Sequence, residues 1–188
     1  MEQDIFENNL KERLILAGLK ELEEHGIKNF SLRRVANTAE VSCAAPYRHF
    51  KNKDQLILAI LEYIRDDWFL LCRQIEGIFN SNLKDLIKEM ATLCVKFWVA
   101  NGNFLSVLFL IQSSTDPLQK KVLCDFDIPI QNAIKNYLVN SNLNYDINEV
   151  EFEICSIIYG NIMLITKGAI TIDNAIIFIK NRIENILK

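Results

Sequence analysis

The chain has 188 residues, half of them hydrophobic, and a formal net charge of −3, so its length supports one sizeable core or a small domain fused to a larger one. The longest uninterrupted apolar run, Leu56–Leu61, is far too short to cross a bilayer, so we expect no membrane-spanning segment and no membrane partner. The start Met1–Asp4 is acidic and lacks the basic region and apolar block of a signal peptide, so we expect a cytoplasmic protein.

The positive charge is concentrated in one short segment. Residues 28–53 carry six basic side chains against one acidic side chain, Glu40, a net of +5. Residues 1–27 hold three basic and seven acidic groups, and residues 54–188 hold twelve and sixteen, so each of these regions nets −4. A basic segment on an otherwise acidic chain is typical of a face that binds a polyanion.

Apolar residues recur every three or four positions along the chain, which predicts an all-α fold of about nine helices. We expect the first helix over about Glu7–His25, ending at Gly26, a residue suited to the left-handed position after a helix. A long helix is expected to begin at Asn52, whose side chain can cap the first turn with Gln55 as its reciprocal partner. It should end near residues 77–79.

Further helices are predicted in the second half of the chain. Leu83–Trp98 marks a helix that ends at residues 101–102, and a short apolar helix follows over about Phe104–Gln112. Pro117 is placed to open the next helix, and Pro129 implies either a kink or two separate helices. Asp146 can cap a helix that runs to about Ile170, with Glu149 as its partner, and Thr171 or Asp173 begins the last helix.

The basic segment coincides with a recognisable motif over Ser31–Phe50. Ser31 is placed to cap one short helix and Ser42 to cap a second, with a tight turn at Val41 between them. Ala36 is a small residue where the two helices would cross. This pattern predicts a helix-turn-helix, in which the second helix enters the major groove of DNA.

These residues also resemble a known family. Tyr47–Phe50, followed by Lys53 and Leu56, is similar to the N-terminal DNA-binding domain of the TetR-type repressors, as are the matching groups Glu23–Ile27, Phe30–Leu32, Val35–Ala36 and Val41–Ser42. The resemblance covers about the first sixty residues. More loosely, Ala45–Tyr47 with Tyr159–Gly160 resembles a subfamily whose effector domain contains a Trp/His-Gly motif, with Tyr159 in place of the histidine.

The resemblance implies a three-helix DNA-binding domain at residues 1–53 and a helical ligand-binding and dimerisation domain at residues 54–188. A homodimer of this kind would bind double-stranded operator DNA and act as a repressor that a small-molecule effector releases. Two residues depart from the family pattern. Glu40 holds a turn position usually occupied by glycine, at a cost on the order of 1 kcal/mol. Pro46 lies early in the second short helix and can shift its start.

The predicted DNA contacts follow from side-chain chemistry and from the resemblance. Lys53 lies at a helix N-terminus, where a phosphate is favoured; Tyr47 and His49 would donate to phosphate, as the resemblance implies. The opposing interpretations are that Tyr47 packs, His49 caps and Arg34 is only solvated. The complete predicted DNA-binding set is Ser31, Arg33, Arg34, Ser42, Cys43, Ala44, Ala45, Tyr47, Arg48, His49 and Lys53.

Two further sets are predicted in the C-terminal region. Aromatic and polar residues that the resemblance places around a ligand cavity are Trp68, Phe97, Trp98, Phe104, Phe109, Gln112, Tyr137, Tyr159 and Asn161; the alternative is that most of them form core. The last two helices are apolar on more than one face, which indicates a partner surface. The residues assigned to that dimer interface are Ile154, Ile158, Ile165, Ile176, Ile179 and Ile183.

Other classes of function find little support. The two histidines have no metal spacing and no nucleophile beside them, the five cysteines are far apart, and no glycine-rich phosphate loop is present, so we expect neither an enzyme, nor a metal site, nor a cofactor. The competing hypothesis is a helical ligand-binding or interaction protein whose DNA-binding head no longer functions, to which Glu40 and Pro46 would point.

Overall fold

A computed structural model describes residues 2–102, 117–141 and 145–188. The described residues form nine α-helices and contain no strand, which confirms the all-α prediction. The helices are α1 (Glu2–Asn29), α2 (Leu32–Thr38), α3 (Pro46–His49), α4 (Lys53–Phe79), α5 (Leu83–Ala100), α6 (Pro117–Asp125), α7 (Ile128–Ser141), α8 (Ile147–Thr166) and α9 (Ile172–Ile186).

Two compact units share these helices. One unit is drawn from residues 1–66 and 103–123, and we call its described N-terminal part, residues 2–66, the head. The other, the second unit, is drawn from residues 67–102 and 124–188. The predicted short helix Phe104–Gln112 lies outside the described residues. No helix in the described ranges is both long and apolar enough to cross a membrane.

In the head, α1 and α4 meet at a close local contact. Leu14 and Leu22 of α1 and Leu56 and Ile60 of α4 are fully buried, each contributing about 1.5–3 kcal/mol through loss of apolar surface to water. Gly18 lies at the contact, where an added Cβ would come within 2.7 Å of Ile60 Cδ1. The absence of a side chain at this position therefore allows the two helices to pack tightly.

The end of α1 differs from the prediction in detail. The helix begins at Glu2 rather than near Glu7. Gly26 has a positive φ of 66°, as expected, but its ψ of 170° is an extended value that suits glycine alone, and a last helical turn follows through Asn29. Gly26 is therefore a kink within α1 instead of its end.

In the second unit α5 is the central helix and packs against α7, α8 and α9. Its inward face is apolar, with Ile87, Met90 and Val95 fully buried. The facing helices contribute buried Ile134 from α7 and buried isoleucines from α8 and α9. This interior is consequently filled by hydrophobic side chains at helical spacing, as the periodicity predicted.

Side chains cap five of the described helices at their N-termini. Asn52 Oδ1 accepts a hydrogen bond from the Gln55 backbone N–H (2.9 Å), while the Gln55 side chain accepts from the Lys51 N–H (2.8 Å) rather than from Asn52. Asp146 accepts from the Asn148 N–H (2.9 Å), so the predicted pairing with Glu149 does not form.

The remaining boundaries settle two open questions and correct one prediction. Pro129 lies in the first turn of α7, so the segment contains two helices, α6 and α7, and Pro117 opens α6 as predicted. Thr171, through its side chain, caps α9. The helix α8 ends at Thr166 rather than near Ile170, since Gly168 adopts a positive φ of 70° just after it.

Candidate nucleic-acid interface

The helix-turn-helix motif forms over the predicted segment, but its second helix starts later. Ser31 caps α2, its side chain accepting from the Arg34 N–H (3.5 Å). Ser42 does not cap α3: the N-cap is Ala45, which has no side-chain hydrogen bond, and the Ser42 carbonyl accepts from the Ala45 N–H (2.9 Å). Pro46 explains the shift, because its fixed φ and missing N–H suit the first position of a helix.

The turn after α2 holds a left-handed residue that is not glycine. Glu40 has φ 55°, and the Val41 N–H donates to Ala36 O (3.0 Å) while the Glu40 N–H donates to Asn37 O (3.1 Å). These two bonds form a Schellman motif, which satisfies the last carbonyls of α2. Arg13 of α1 donates to Ala39 O (2.5 Å) and so holds the turn against α1. The backbone bonds and Arg13 offset the strain at Glu40.

The face presented by the motif is polar and partly basic. Tyr47 is 61% exposed, and the exposed set continues with Arg33, Ser42, Cys43, Ala44 and Arg48. His49 is half-buried against Phe50. Ala45, by contrast, is only 6% exposed, so the structure turns it toward the core of the head while its neighbours remain on the surface.

The Arg34 guanidinium is bonded to α1, although its side chain remains 44% exposed. Its guanidinium makes a fork of hydrogen bonds to the Glu21 carboxylate, from Nε to Oε1 (2.9 Å) and Oε2 (3.0 Å) and from Nη2 to Oε1 (2.5 Å). Nη2 also donates to the Asn29 carbonyl. The same carboxylate accepts from the Ser31 N–H (3.0 Å) and lies 3.2 Å from His25 Nδ1.

Glu21 is the acid at the centre of this network and is only 3% exposed. Burial alone would raise the pKa of its carboxyl, but the hydrogen bonds from Arg34 and from the Ser31 N–H outweigh burial and leave the pKa below its ordinary value. Glu21 was not among the predicted site residues. Its position on the buried stripe of α1, seven residues after Leu14 and one before Leu22, is the signal that could have identified it.

Lys53, the first residue of α4, is also engaged within the head. Its Nζ donates to Ile27 O (2.6 Å) and lies 5.7 Å from the centre of the Phe30 ring. An ammonium carries three donors, so this bond leaves two N–H groups for another acceptor. The carbonyl contact sets the position of the ammonium beside the first turn of α4.

The predicted effector residues that are described form two groups in the second unit. Trp68, Phe97 and Trp98 pack with Phe126, the ring centres of Trp68 and Phe97 lying 4.9 Å apart and those of Trp98 and Phe126 5.0 Å apart. The Trp68 indole N–H donates to the Phe126 carbonyl (2.9 Å). This cluster is a packed aromatic core. Phe104, Phe109 and Gln112 lie outside the described residues.

The polar members of that set have partners inside the second unit. The Tyr137 hydroxyl donates to Leu187 O (2.7 Å), and the side chain of buried Asn161 donates to Ile157 O (2.8 Å). The Tyr159 hydroxyl donates to Asp127 Oδ1 (2.5 Å). Burial raises the pKa of the Asp127 carboxyl, although the Tyr159 bond opposes that effect, and burial likewise raises the pKa of Tyr159.

Most of the predicted dimer residues lie in the core of the chain itself. Ile154, Ile158, Ile179 and Ile183 are each at most 1% exposed in the single chain, whereas Ile165 and Ile176 are half-buried. The outward faces of α8 and α9 carry other large apolar side chains. These exposed residues are Phe152 (75%), Met163 (37%), Leu164 (46%), Ile172 (36%), Ile177 (60%) and Phe178 (49%).

Comparison with known proteins finds a similarity that covers most of the head. Residues 14–60 match the sequence model of the family described as "Bacterial regulatory proteins, tetR family". The chain is 25% identical over 105 residues to the HTH-type transcriptional regulator SAB2452 of Staphylococcus aureus, an alignment that covers 56% of this chain and 55% of that protein. The chain thus spans about half the length of the curated relatives it matches.

Solved structures extend the likeness of fold to nearly the whole chain. A TetR transcription regulator from Haloarcula marismortui is 15% identical, with a TM-score of 0.77 over 96% of this chain and 97% of that one. A transcriptional regulator from Rhodococcus sp. Rha1 is 16% identical, with a TM-score of 0.77 over 94% and 95% of the two chains. At these identities the likeness establishes the fold.

Proposed function

We propose that the chain is a homodimeric transcriptional repressor that binds operator DNA in the cytoplasm and is released by a small molecule. Support comes from the match of residues 14–60 to the tetR family model and from the likeness of the fold to solved TetR regulators. The observation that carries the proposal is the surface of the helix-turn-helix. Tyr47, Arg33 and Arg48 are exposed there, together with Ser42, Cys43 and Ala44. Short polar and methyl side chains suit contact with base edges, and the arginines suit phosphate.

Lys53 completes the proposed phosphate contacts. The two N–H groups left by its bond to Ile27 O point to a role at the start of α4, where unpaired backbone donors also favour an anion. Tyr47 and His49 are the other proposed phosphate donors. In this arrangement Ser31 caps α2 and Ala45 supports the surface from beneath.

DNA binding is tested by selecting duplexes from a random library with the full-length protein. We expect recovery of a near-palindrome whose half-sites are related by the dimer axis. The affinity for the selected duplex should fall steeply as salt rises, because phosphate contacts release counterions. Failure to enrich any sequence would reject the proposal and favour an interaction protein with a non-functional head.

The dimer proposal rests on the outward faces of α8 and α9. Phe152, Ile177 and Phe178 are large apolar side chains that the single chain leaves about half exposed or more. They account for the extra apolar face that the sequence indicated on the last two helices. A second copy of the chain would cover them symmetrically. Ile158 and Ile179 stabilise the protomer beneath this surface, so charge placed there would test folding rather than association.

Analytical ultracentrifugation of Phe152→Asp tests the interface. We expect the variant to sediment as a monomer at concentrations where the unaltered chain is a dimer. Val139→Asp provides a matched control, since Val139 is a similarly exposed apolar residue (65%) on α7. A Phe152→Asp protein that remains dimeric, or an equal effect of Val139→Asp, would contradict the proposed surface.

The effector is proposed to be an apolar or amphipathic small molecule bound in the second unit. Support comes from the aromatic residues there and from the Tyr159–Asp127 pair, which could exchange its internal bond for one to a ligand. An effector that releases operator must bind less tightly in the presence of operator, since the coupling is reciprocal. Fluorescence anisotropy of labelled operator during titration with apolar and amphipathic compounds tests this. If none of these compounds releases the operator, the proposed class of effector is wrong.

A further inference from the structure

Six basic side chains on and around the helix-turn-helix differ in what they contact. Arg33, Arg48 and Lys51 are exposed, and among the described residues their side chains make no hydrogen bond or ion pair. Arg13 and Lys53 each donate to a backbone carbonyl. Arg34 donates both to a carbonyl and to a buried carboxylate. Sequence charge alone treats these cations as equivalent, whereas the structure separates them.

We propose that Glu21 and Arg34 are positioning residues of the DNA-binding head, and that Arg34 adds no phosphate contact; this inference rests on the proposed DNA-binding function. The Glu21 carboxylate neutralises Arg34 at hydrogen-bond distance, so the pair contributes little net field at a phosphate. A neutralised cation also releases no counterion from DNA when the complex forms.

The geometry explains what the pair positions. Glu21 lies on α1, the Ser31 N–H it accepts from is at the N-cap of α2, and Arg34 lies on α2. Arg34 also donates to the Asn29 carbonyl, in the short link between the two helices. The carboxylate and guanidinium thereby fix both the link and the first turn of α2 against α1. Because α3 follows α2 through a tight turn, the orientation of α2 sets that of the recognition helix.

Two neighbouring arginines on α2 allow a matched experiment. Affinity of the full-length protein for the selected duplex is measured against potassium chloride concentration for the unaltered chain, Arg33→Gln, Arg34→Gln and Glu21→Gln. We expect Arg33→Gln to reduce the slope of log affinity against log salt by about 0.9, the loss of one phosphate contact. Arg34→Gln should keep the slope and lower affinity at every salt concentration by about tenfold.

The sign of the Glu21→Gln effect separates the two roles of Arg34. If Arg34 contacts phosphate, removing the acid frees a cation and tightens DNA binding. A positioning pair predicts the reverse, a loss similar to that of Arg34→Gln with an unchanged slope. The double variant Glu21→Gln/Arg34→Gln should then lose no more than either single variant, because both remove the same interaction.

Circular dichroism at the assay temperature checks that each variant is folded. A second substitution at Arg34 separates the two roles independently of folding. Arg34→Lys retains the charge but lacks the planar fork, so a positioning role predicts weaker binding with the original slope, and a phosphate role predicts near-normal affinity. A reduced slope in Arg34→Gln, or tighter binding by Glu21→Gln, would overturn the proposal while leaving the DNA-binding function intact. Failure of the unaltered chain to bind any duplex would instead reject the proposed function.

Discussion

The head holds a buried carboxyl group, Glu21, and the second unit holds a half-buried one, Asp127, and their pKa values are shifted in opposite directions. Glu21 in the head meets a guanidinium and a backbone N–H, so its pKa lies below the ordinary value despite burial. Asp127 in the second unit accepts from the neutral Tyr159 hydroxyl, and burial prevails, raising its pKa. The neighbouring donor, more than the depth of burial, determines whether a buried acid stabilises the charged form.

The two units differ in the same way in their packing. The head uses ionic and carbonyl bonds from Arg13, Arg34 and Lys53 to fix short helices and turns. The second unit buries a cluster of four aromatic rings with long helices around it. Short helices have few residues with which to build a core, and directed bonds fix their orientation. Longer helices, including α1 and α4 of the head, have enough apolar surface for burial to supply most of their stabilisation.

The largest expected effect comes from breaking the aromatic core. Trp98 is 1% exposed and touches both Phe97 and Phe126, so Trp98→Ala should lower the free energy of unfolding by about 3–5 kcal/mol. Urea titration followed by circular dichroism measures the change. Trp98→Phe should cost clearly less, and a loss below about 1 kcal/mol for the alanine variant would show that the cluster is not the main source of stability.

A change at the tight helix contact of the head should have a smaller effect. Gly18→Val places side-chain atoms against Ile60, whose Cδ1 would lie 2.7 Å from the new Cβ. We expect a loss of about 1–3 kcal/mol from overpacking. Gly77→Ala is the matched control in α4, since its Cβ would meet no atom within 4 Å, and it should be neutral or stabilising by up to about 1 kcal/mol. Equal effects of the two would contradict a close α1–α4 approach.

The same contrast explains what the sequence could predict. Helix periodicity, the Ser31 and Asn52 caps and the left-handed turn at Glu40 are local properties, and each was confirmed. Of the two residues left open for the start of the last helix, Thr171 is the cap. The start of α3 was misplaced because Ser42 looked like a cap, while Pro46 determines the first helical residue. Local rules therefore predict elements well and fail where two local preferences compete.

Long-range partners were beyond those rules. Arg34 was grouped with the other cations because its partner Glu21 lies thirteen residues earlier. The buried stripe of α1 marks Glu21 as an inward acid, but sequence spacing does not show which cation pairs with it. Ile158 and Ile179 were assigned to a dimer surface because an apolar residue has the same pattern whether it faces its own core or a partner. The exposed Phe152 and Ile177 were distinguishable from them only once the packing within the chain was known.

Acid titration sharpens the contrast between the two carboxyls. The lowered pKa of Glu21 stabilises the head above its ordinary pKa of 4.5, and that stability should be lost as pH falls below it. The Glu21→Gln variant should have a free energy of unfolding about 1–3 kcal/mol lower at pH 7. Its stability should no longer depend on the titration of residue 21 at acid pH. The raised pKa of Asp127 acts in the opposite sense, so stability gains as pH falls toward the ordinary value of 3.8.

Asp127→Asn serves as the counterpart, since an asparagine oxygen can still accept from Tyr159. We expect it to change stability at pH 7 by less than about 1 kcal/mol. Thermal melting between pH 3.5 and pH 7 of both variants gives the comparison. A loss of stability at acid pH that persists in Glu21→Gln but disappears in Asp127→Asn would reverse the assignment of the two groups.

The smallest effect is expected for a charge in the second unit that is exposed. Glu184 on α9 pairs with Lys88 and with Lys84 (3.2 Å), and the bonds from Lys88 and Lys84 hold its pKa below the ordinary value. Its side chain is 46% exposed, so water and salt screen these pairs far more than they screen Glu21. Glu184→Gln should cost only about 0.2–1 kcal/mol by urea titration at low salt, and nothing measurable in 1 M potassium chloride. A loss that persisted in high salt would mean that directed ionic bonds support the second unit as they support the head, and the contrast between the two would no longer hold.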